Sequence, residues 1–211
     1  MNAKTTQRLA IGKRIRRRER EGTFHRRQRR RMAPGELLLC KPTIATAPAI
    51  TDLVNRFAKK GAMLPRALAD VRERIRDFTT CELNGRLIGC VALHILWEDL
   101  AEIRSLAVAD QMQKRGVGGH LVEFCVREAK ELGLARVMTL TYEKRFFKRF
   151  GFRECPKETL PQKVWKDCVN CPRFPHCDES AMVLHLETTP YGMRRRSSVK
   201  DLGKASGSLR E

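Results

Sequence analysis

Glu102 and Arg104 stand two residues apart in Glu102-Ile103-Arg104-Ser105-Leu106-Ala107-Val108, an apolar run that reads as a β-strand. The run leads into Gln113-Lys114-Arg115-Gly116-Val117-Gly118-Gly119, a glycine-rich turn ahead of an amphipathic helix predicted over 117–132. Such a turn presents backbone N–H groups to an anion at the helix N-terminus, where the dipole also favours negative charge. Lys114 and Arg115 add two cations. Side chains alternate across a sheet, so the spacing places Glu102, Arg104, Leu106 and Val108 on one face and Ala101, Ile103, Ser105 and Ala107 on the other. A charged pair on a central strand is costly unless that part of the strand lines a cleft. In a cleft, a carboxylate can take the proton of an incoming ammonium, directly or through water, and arginines grip carboxylates bidentately. The bland alternatives are a surface carboxylate paired with Arg104 and solvated arginines.

Cys168, Cys171 and Cys177 form a second candidate site, Cys-x2-Cys-x5-Cys, with His176 or Cys155 as a fourth ligand. Tetrahedral zinc or an iron–sulfur cluster would suit such a set. The fourth ligand is not at a standard spacing and His176 adjoins Cys177, so reduced cysteines in a folded-back loop are favoured over metal.

The elements that must position these groups are legible from periodicity and turn residues. A strand is expected over 37–43, a helix over 48–60 with Gly61 as its stop, and a second helix over 67–76. Residues 78–83 and 86–96 flank Asn84-Gly85, the strongest two-residue hairpin signal. Strands over 100–109 and 136–142 bracket the long helix, which Gly133 is placed to cap. A short helix over 144–150, a short strand over 152–155, a Pro- and Cys-rich excursion over 156–178 and a last strand over 181–186 complete an α+β domain.

The charge divides unevenly. Of a net +19, residues 1–32 hold thirteen Lys/Arg against two Glu, and residues 190–211 hold six against two acids, which leaves +4 for residues 33–189. Residues 1–32 form a basic extension without apolar periodicity, unable to bury enough surface to order itself. It reads as an inert extension or an over-long start ahead of Met32, as a nucleic-acid or membrane arm, or as a transit peptide. Residues 188–211 read as a solvated basic tail. No secretory signal or membrane-length apolar run is present, so a cytoplasmic protein with reduced cysteines is expected.

Gln-x-x-Gly-x-Gly between strand and helix resembles the pyrophosphate loop of the GNAT superfamily of acyl-CoA-dependent N-acyltransferases. The resemblance implies the GNAT fold over residues 33–187, with a mixed, mostly antiparallel central sheet flanked by helices. It also implies acetyl-CoA as co-substrate. Leu106 and Val108 would offer main-chain groups to pantetheine, and Gln113, Lys114, Arg115, Gly116, Val117, Gly118 and Gly119 would hold the pyrophosphate. Glu102 stands where the histone-acetylating branch carries its base. Many members place a tyrosine acid in Phe-Tyr-x-x-x-Gly-Phe; here the run is Phe146-Phe147-Lys148-Arg149-Phe150-Gly151-Phe152, which leaves Tyr142 as the fallback acid.

Further islands, Leu64-Pro65-Arg66, Ile75-Arg76-Asp77-Phe78, Ala101-Glu102-Ile103 with Leu106-Ala107-Val108, the Phe-Phe helix and Leu160-Pro161, are similar to the acetyltransferase domain of the N-acetylglutamate synthase family. That resemblance implies acetylation of the α-amino group of L-glutamate, the opening step of arginine biosynthesis, by direct attack, with Arg66 and Arg104 on substrate carboxylates. Glu179 and Ala181 depart from the family, standing about where it carries basic and hydroxyl residues. The long synthases add an amino-acid-kinase domain, for which 211 residues leave no room, so feedback through one is not expected. The alternatives are a GNAT enzyme for another amine (a protein N-terminus, a lysine, a polyamine) and a nucleic-acid-associated protein acting through its basic tails. L-glutamate is the expected partner and nucleic acid and membrane are not; a homodimer is left open.

Overall fold

Short apolar runs that alternate in period two can bury one face only against a helix, and here they assemble into one sheet between two helical layers. The computed structural model describes residues 37–187; the basic extension 1–32 and the tail 188–211 lie outside the described residues. The elements are β1 (Leu37–Cys40), α1 (Ala47–Ala58), α2 (Leu68–Glu73), β2 (Phe78–Leu83), β3 (Arg86–Ile95), β4 (Leu100–Val108), α3 (Val117–Glu131), β5 (Arg136–Thr141), α4 (Lys144–Lys148), β6 (Arg153–Glu154), α5 (Pro161–Lys166) and β7 (Ser180–His185). The sheet order is β1-β2-β3-β4-β5-β7-β6. Every neighbouring pair is antiparallel except β4 and β5.

Local chemistry explains most boundaries. Asn84 (φ 52°) and Gly85 (φ 75°) both take the left-handed region that a two-residue hairpin turn requires. Leu134 donates its N–H to the Ala129 carbonyl as Gly133 ends α3. The second expected helix is split: α2 stops at Glu73, and a 3-10 turn, Ile75–Asp77, carries the chain into β2. The Cys-rich excursion, expected to be irregular, contains α5. Pro161 opens it, a residue pre-set for the first turn of a helix.

Two apolar clusters sandwich the sheet. Val117, Leu121, Cys125 and Ala129 of α3 pack with Val91, Leu93, Ile103 and Val137, and Phe147 and Phe152 belong to the same cluster. Ile50, Leu53 and Val54 of α1 and Val71 of α2 pack with Cys90, Ala92 and Ala107 on the other side. A smaller cluster joins Leu160, just ahead of α5, to Leu96, Leu100, Met138 and Ala181.

The strict alternation expected along β4 fails at Ser105. Cys90 lies opposite Ala107 and Ala92 opposite Arg104, so β4 carries one residue more than β3 between those pairs, and Ser105 takes φ 53°. A bulge of this kind exchanges the faces of all residues beyond it. Leu106 and Val108 therefore pack on the α3 side with Ala101 and Ile103, while Ala107 joins the α1 side. They do not share a face with Glu102 and Arg104.

Candidate functional site

β4 and β5 part company early. Their parallel ladder runs only from Leu100–Glu102 to Arg136–Met138. β5 then continues against β7 up to Thr141. From Arg104 to Val108 the edge of β4 on the β5 side has no strand beside it among the described residues, so an extended ligand arm can add there as a strand would. One cleft of about 1680 Å³ runs from this split to the α3 N-terminus in one direction and under α5 in the other.

At the α3 end, Gly116 sits at the N-cap with φ 88°. The first intrahelical bond is made by His120 to the Gly116 carbonyl, so the amides of Val117, Gly118 and Gly119 have no acceptor within the helix. Gly118 and Gly119 also admit a close neighbour: an added Cβ would stand 3.4 Å from the Phe146 ring and 3.3 Å from the Phe150 ring respectively. Gln113 spends its side-chain amide on the Val108 carbonyl and Asp110 Oδ1, both at 3.2 Å, and so ties the loop to the end of β4. Lys114, at φ 57°, borders the same cleft. Because Gly116 holds a conformation that an L side chain resists, Gly116→Ala is expected to cost about 1–2 kcal/mol of stability. Thermal unfolding checks this; an unchanged midpoint would show that the loop does not need the left-handed turn.

The other half of the cleft holds a buried ionic quartet. Lys163 of α5 reaches Glu102 Oε2 at 2.8 Å and Asp167 Oδ2 at 2.8 Å. Arg104 Nη1 lies 3.3 Å from Asp167 Oδ2 and 3.6 Å from Glu102 Oε2. The side chains of Glu102, Lys163, Arg104 and Asp167 are 5, 10, 11 and 27% exposed. Glu102 is thus neither a surface carboxylate nor a free one. Burial opposes the charge on Lys163, but Glu102 and Asp167 outweigh it and hold the ammonium above its usual range. Burial likewise opposes the Asp167 carboxylate, which Lys163 and Arg104 nevertheless hold below its usual value. For Arg104 burial dominates and the guanidinium is lowered; Arg66 and Arg74 push the same way, and Glu102 and Asp167 resist.

Arg66 is held by its backbone. Asn55 Oδ1 accepts from the Arg66 amide and Asn55 Nδ2 donates to its carbonyl, both at 2.9 Å. The guanidinium, on the cleft wall, has no carboxylate partner among the described residues. Arg74 is a third arginine on this wall that the sequence reading missed. Its Nη1 lies 3.3 Å from His94 Nε2, and His94 Nδ1 lies 2.7 Å from Asp77 Oδ2. If Nδ1 carries the proton for Asp77, Nε2 is the acceptor for Arg74. Leu160-Pro161 ahead of Lys163 and Asp167 marks a helix start in the sequence, but nothing local ties it to Glu102.

Tyr142 is on the cleft wall, but its hydroxyl donates to Asp178 Oδ1 at 2.6 Å. That bond, more than any other influence, pushes its pKa up to about 12. Phe147 is buried, edge-on to Phe146 at 5.1 Å and to Phe152 at 5.4 Å. Burial raises the carboxyl of Glu179, which also borders the cleft.

The metal reading of Cys168, Cys171 and Cys177 is not supported. No group of three His, Cys, Asp or Glu side chains among the described residues is arranged to hold an ion. Cys168 and Cys171 bracket a 3-10 turn, and Cys177 Sγ turns towards Glu179 Oε2 at 3.8 Å.

Comparison with known proteins fits this geometry. The model of the Acetyltransferase (GNAT) family matches residues 50–152. An uncharacterized N-acetyltransferase of Chlorobaculum tepidum is 44% identical over 143 residues, covering 68% of this chain and 92% of that protein. An amino-acid acetyltransferase of Mycobacterium tuberculosis is 40% identical over 136 residues, covering 61% of this chain and 78% of that protein. The fold superposes on N-acetylglutamate synthase from Neisseria gonorrhoeae, complexed with coenzyme A and N-acetyl-glutamate, with a TM-score of 0.65 and 26% identity over 72% of this chain; the match covers 35% of that synthase.

Proposed function

The chain belongs to the GNAT acetyltransferase family, and from that premise we propose that it transfers the acetyl group of acetyl-CoA to the α-amino group of L-glutamate. Acyl transfer with acetyl-CoA as co-substrate follows from the family, whose relatives include structures holding coenzyme A. The choice of glutamate rests on one observation above others. Glu102 and Arg104 share a buried wall beside the mouth of the β4–β5 split, and Arg66 faces the same cleft with no carboxylate partner among the described residues. A wall with one base and separate guanidiniums suits an amine that carries two carboxylates. The naming of relatives as amino-acid acetyltransferases supports the same reading.

In this proposal pantetheine lies along the free edge of β4, with main-chain groups of Leu106 and Val108 as its partners. Val117, Gly118 and Gly119 give amides to the pyrophosphate, and Lys114 and Arg115 add charge. Glu102 removes the proton from the ammonium, and the neutral nitrogen attacks the thioester carbon. The C–N bond forms, a backbone N–H on the β4 edge holds the oxyanion, and the C–S bond breaks. Tyr142 is the candidate acid for the departing thiolate. With its pKa pushed up to about 12 while Asp178 holds it, Tyr142 is a weaker acid than a free tyrosine, and the thiolate can also leave without a dedicated acid. The transfer is direct, and no cysteine nucleophile enters. A cytoplasmic setting and a place in arginine biosynthesis belong to the same proposal; no helix among the described residues is long and apolar enough to cross a membrane.

The test is thiol release from acetyl-CoA in the presence of glutamate, glutamine, aspartate, lysine and a polyamine. Glutamate should give the highest kcat/KM. Turnover confined to lysine or the polyamine would move the protein to another acceptor.

A further inference from the structure

The ionic quartet has a chemical shape of its own. Lys163 and Asp167 lie four residues apart, and between them they present an ammonium to Glu102 and a carboxylate to Arg104. An α-amino acid carries the same two groups. On a helix, Lys ahead of Asp at this spacing is the weaker orientation, so the pair does little for α5 itself. α5 is only six residues long, and the Leu160 anchor and these two cross-cleft contacts tie it over the cleft.

We infer that Lys163 and Asp167 are specificity-determining residues: an internal amino-acid mimic that the acceptor must displace from Glu102 and Arg104. The inference rests on the proposed roles of Glu102 and Arg104. It also bears on the proposed base, since a substrate ammonium must compete with Lys163, seated at 2.8 Å, for the same carboxylate. Exchange of one zwitterion for another keeps the buried charge balanced. An amine without a carboxylate can replace Lys163 but leaves Asp167 on Arg104. A carboxylate without an amine replaces Asp167 and leaves Lys163 on Glu102. Each half-mimic faces a site still closed on one side, whereas an amino acid opens both. The side-chain carboxylate of a dicarboxylic acceptor then meets Arg66. The apparent affinity for acceptor is reduced by the fraction of molecules in which the internal pair is seated.

The experiment compares the unmodified protein with Asp167→Asn, which keeps the shape of the side chain and removes its charge. The KM for glutamate should fall at least about threefold, because the seated fraction falls, while the KM for acetyl-CoA stays the same. Hydrogen exchange on the unmodified full chain with CoA supplies a readout independent of turnover: glutamate should speed exchange across residues 160–168 while butylamine and glutarate do not. A KM for glutamate that is unchanged or raised in Asp167→Asn, or slower exchange in α5 on adding glutamate, would overturn the displacement. In that case glutamate-dependent thiol release by the unmodified protein would leave the acetyltransferase reading standing. Thiol release with no response to glutamate would remove that reading, and this inference with it.

Discussion

Replacing Glu102 with glutamine is expected to lower kcat by about 10²–10⁴-fold, the usual contribution of a positioned general base. In free energy this is about 3–5.5 kcal/mol of transition-state stabilisation. The substitution is chosen for its shape. Glutamine still accepts from Lys163 through its amide oxygen, and Lys163 keeps Asp167 at 2.8 Å, so the fold is kept even where the weaker contact loosens α5. The proposed acetyl-CoA site uses the β4 edge and the α3 N-terminus, neither of which involves the Glu102 side chain, and the KM for acetyl-CoA should not move. Steady-state kinetics with both substrates, together with a thermal melt, separate a lost base from a damaged fold. A kcat within about twofold of the unmodified protein would remove Glu102 from the chemistry and leave it as a structural partner of Lys163.

Arg66→Ala should raise the KM for glutamate, lowering kcat/KM by about 10–150-fold, the equivalent of a charge-assisted hydrogen bond worth about 1.5–3 kcal/mol. Stability should hardly change. The Arg66 contacts that shape the loop are backbone ones to Asn55, and these survive truncation of the side chain. Arg104 would be a poorer probe, since its removal leaves Glu102 and Asp167 short of a buried cation and unsettles the fold as well as the site. Arg66→Lys should recover only part of the loss, because an ammonium cannot make the paired contacts of a guanidinium. An acceptor lacking the side-chain carboxylate should be indifferent to Arg66→Ala. Equal losses for both kinds of acceptor would assign Arg66 to the α-carboxylate instead.

Both predictions depend on features of unequal legibility. The hairpin at Asn84-Gly85, the end of α3 at Gly133 and the glycine turn at Gly116 that opens α3 were readable because each signal is complete within a few residues. Glu102 and Arg104 were readable as a charged pair with no reason to be on a strand unless the strand borders a cleft. Lys163 was not readable as the partner of Glu102, because 61 positions separate them and nothing local marks the contact. The bulge at Ser105 was equally hidden: a serine in an apolar run gives no sign of a left-handed backbone, and only pairing with β3 forces the extra residue out. Strict alternation then placed Leu106 and Val108 on the wrong face.

Sequence alone therefore determined most of the order of strands and helices, though not α5, and the glycine-rich turn at the start of α3, along with the chemical kinds of residue gathered near it. Those properties follow from backbone preference and hydrophobic period, which act over one or two turns of chain. The tertiary structure decided the rest: where β4 leaves β5, which face Leu106 presents, and that Lys163 and Asp167, from a distant segment, pair with Glu102 and Arg104. Buried charge is the reason. Glu102 and Arg104 cannot stay inside without partners, and any segment able to supply an ammonium and a carboxylate at the right separation can satisfy them.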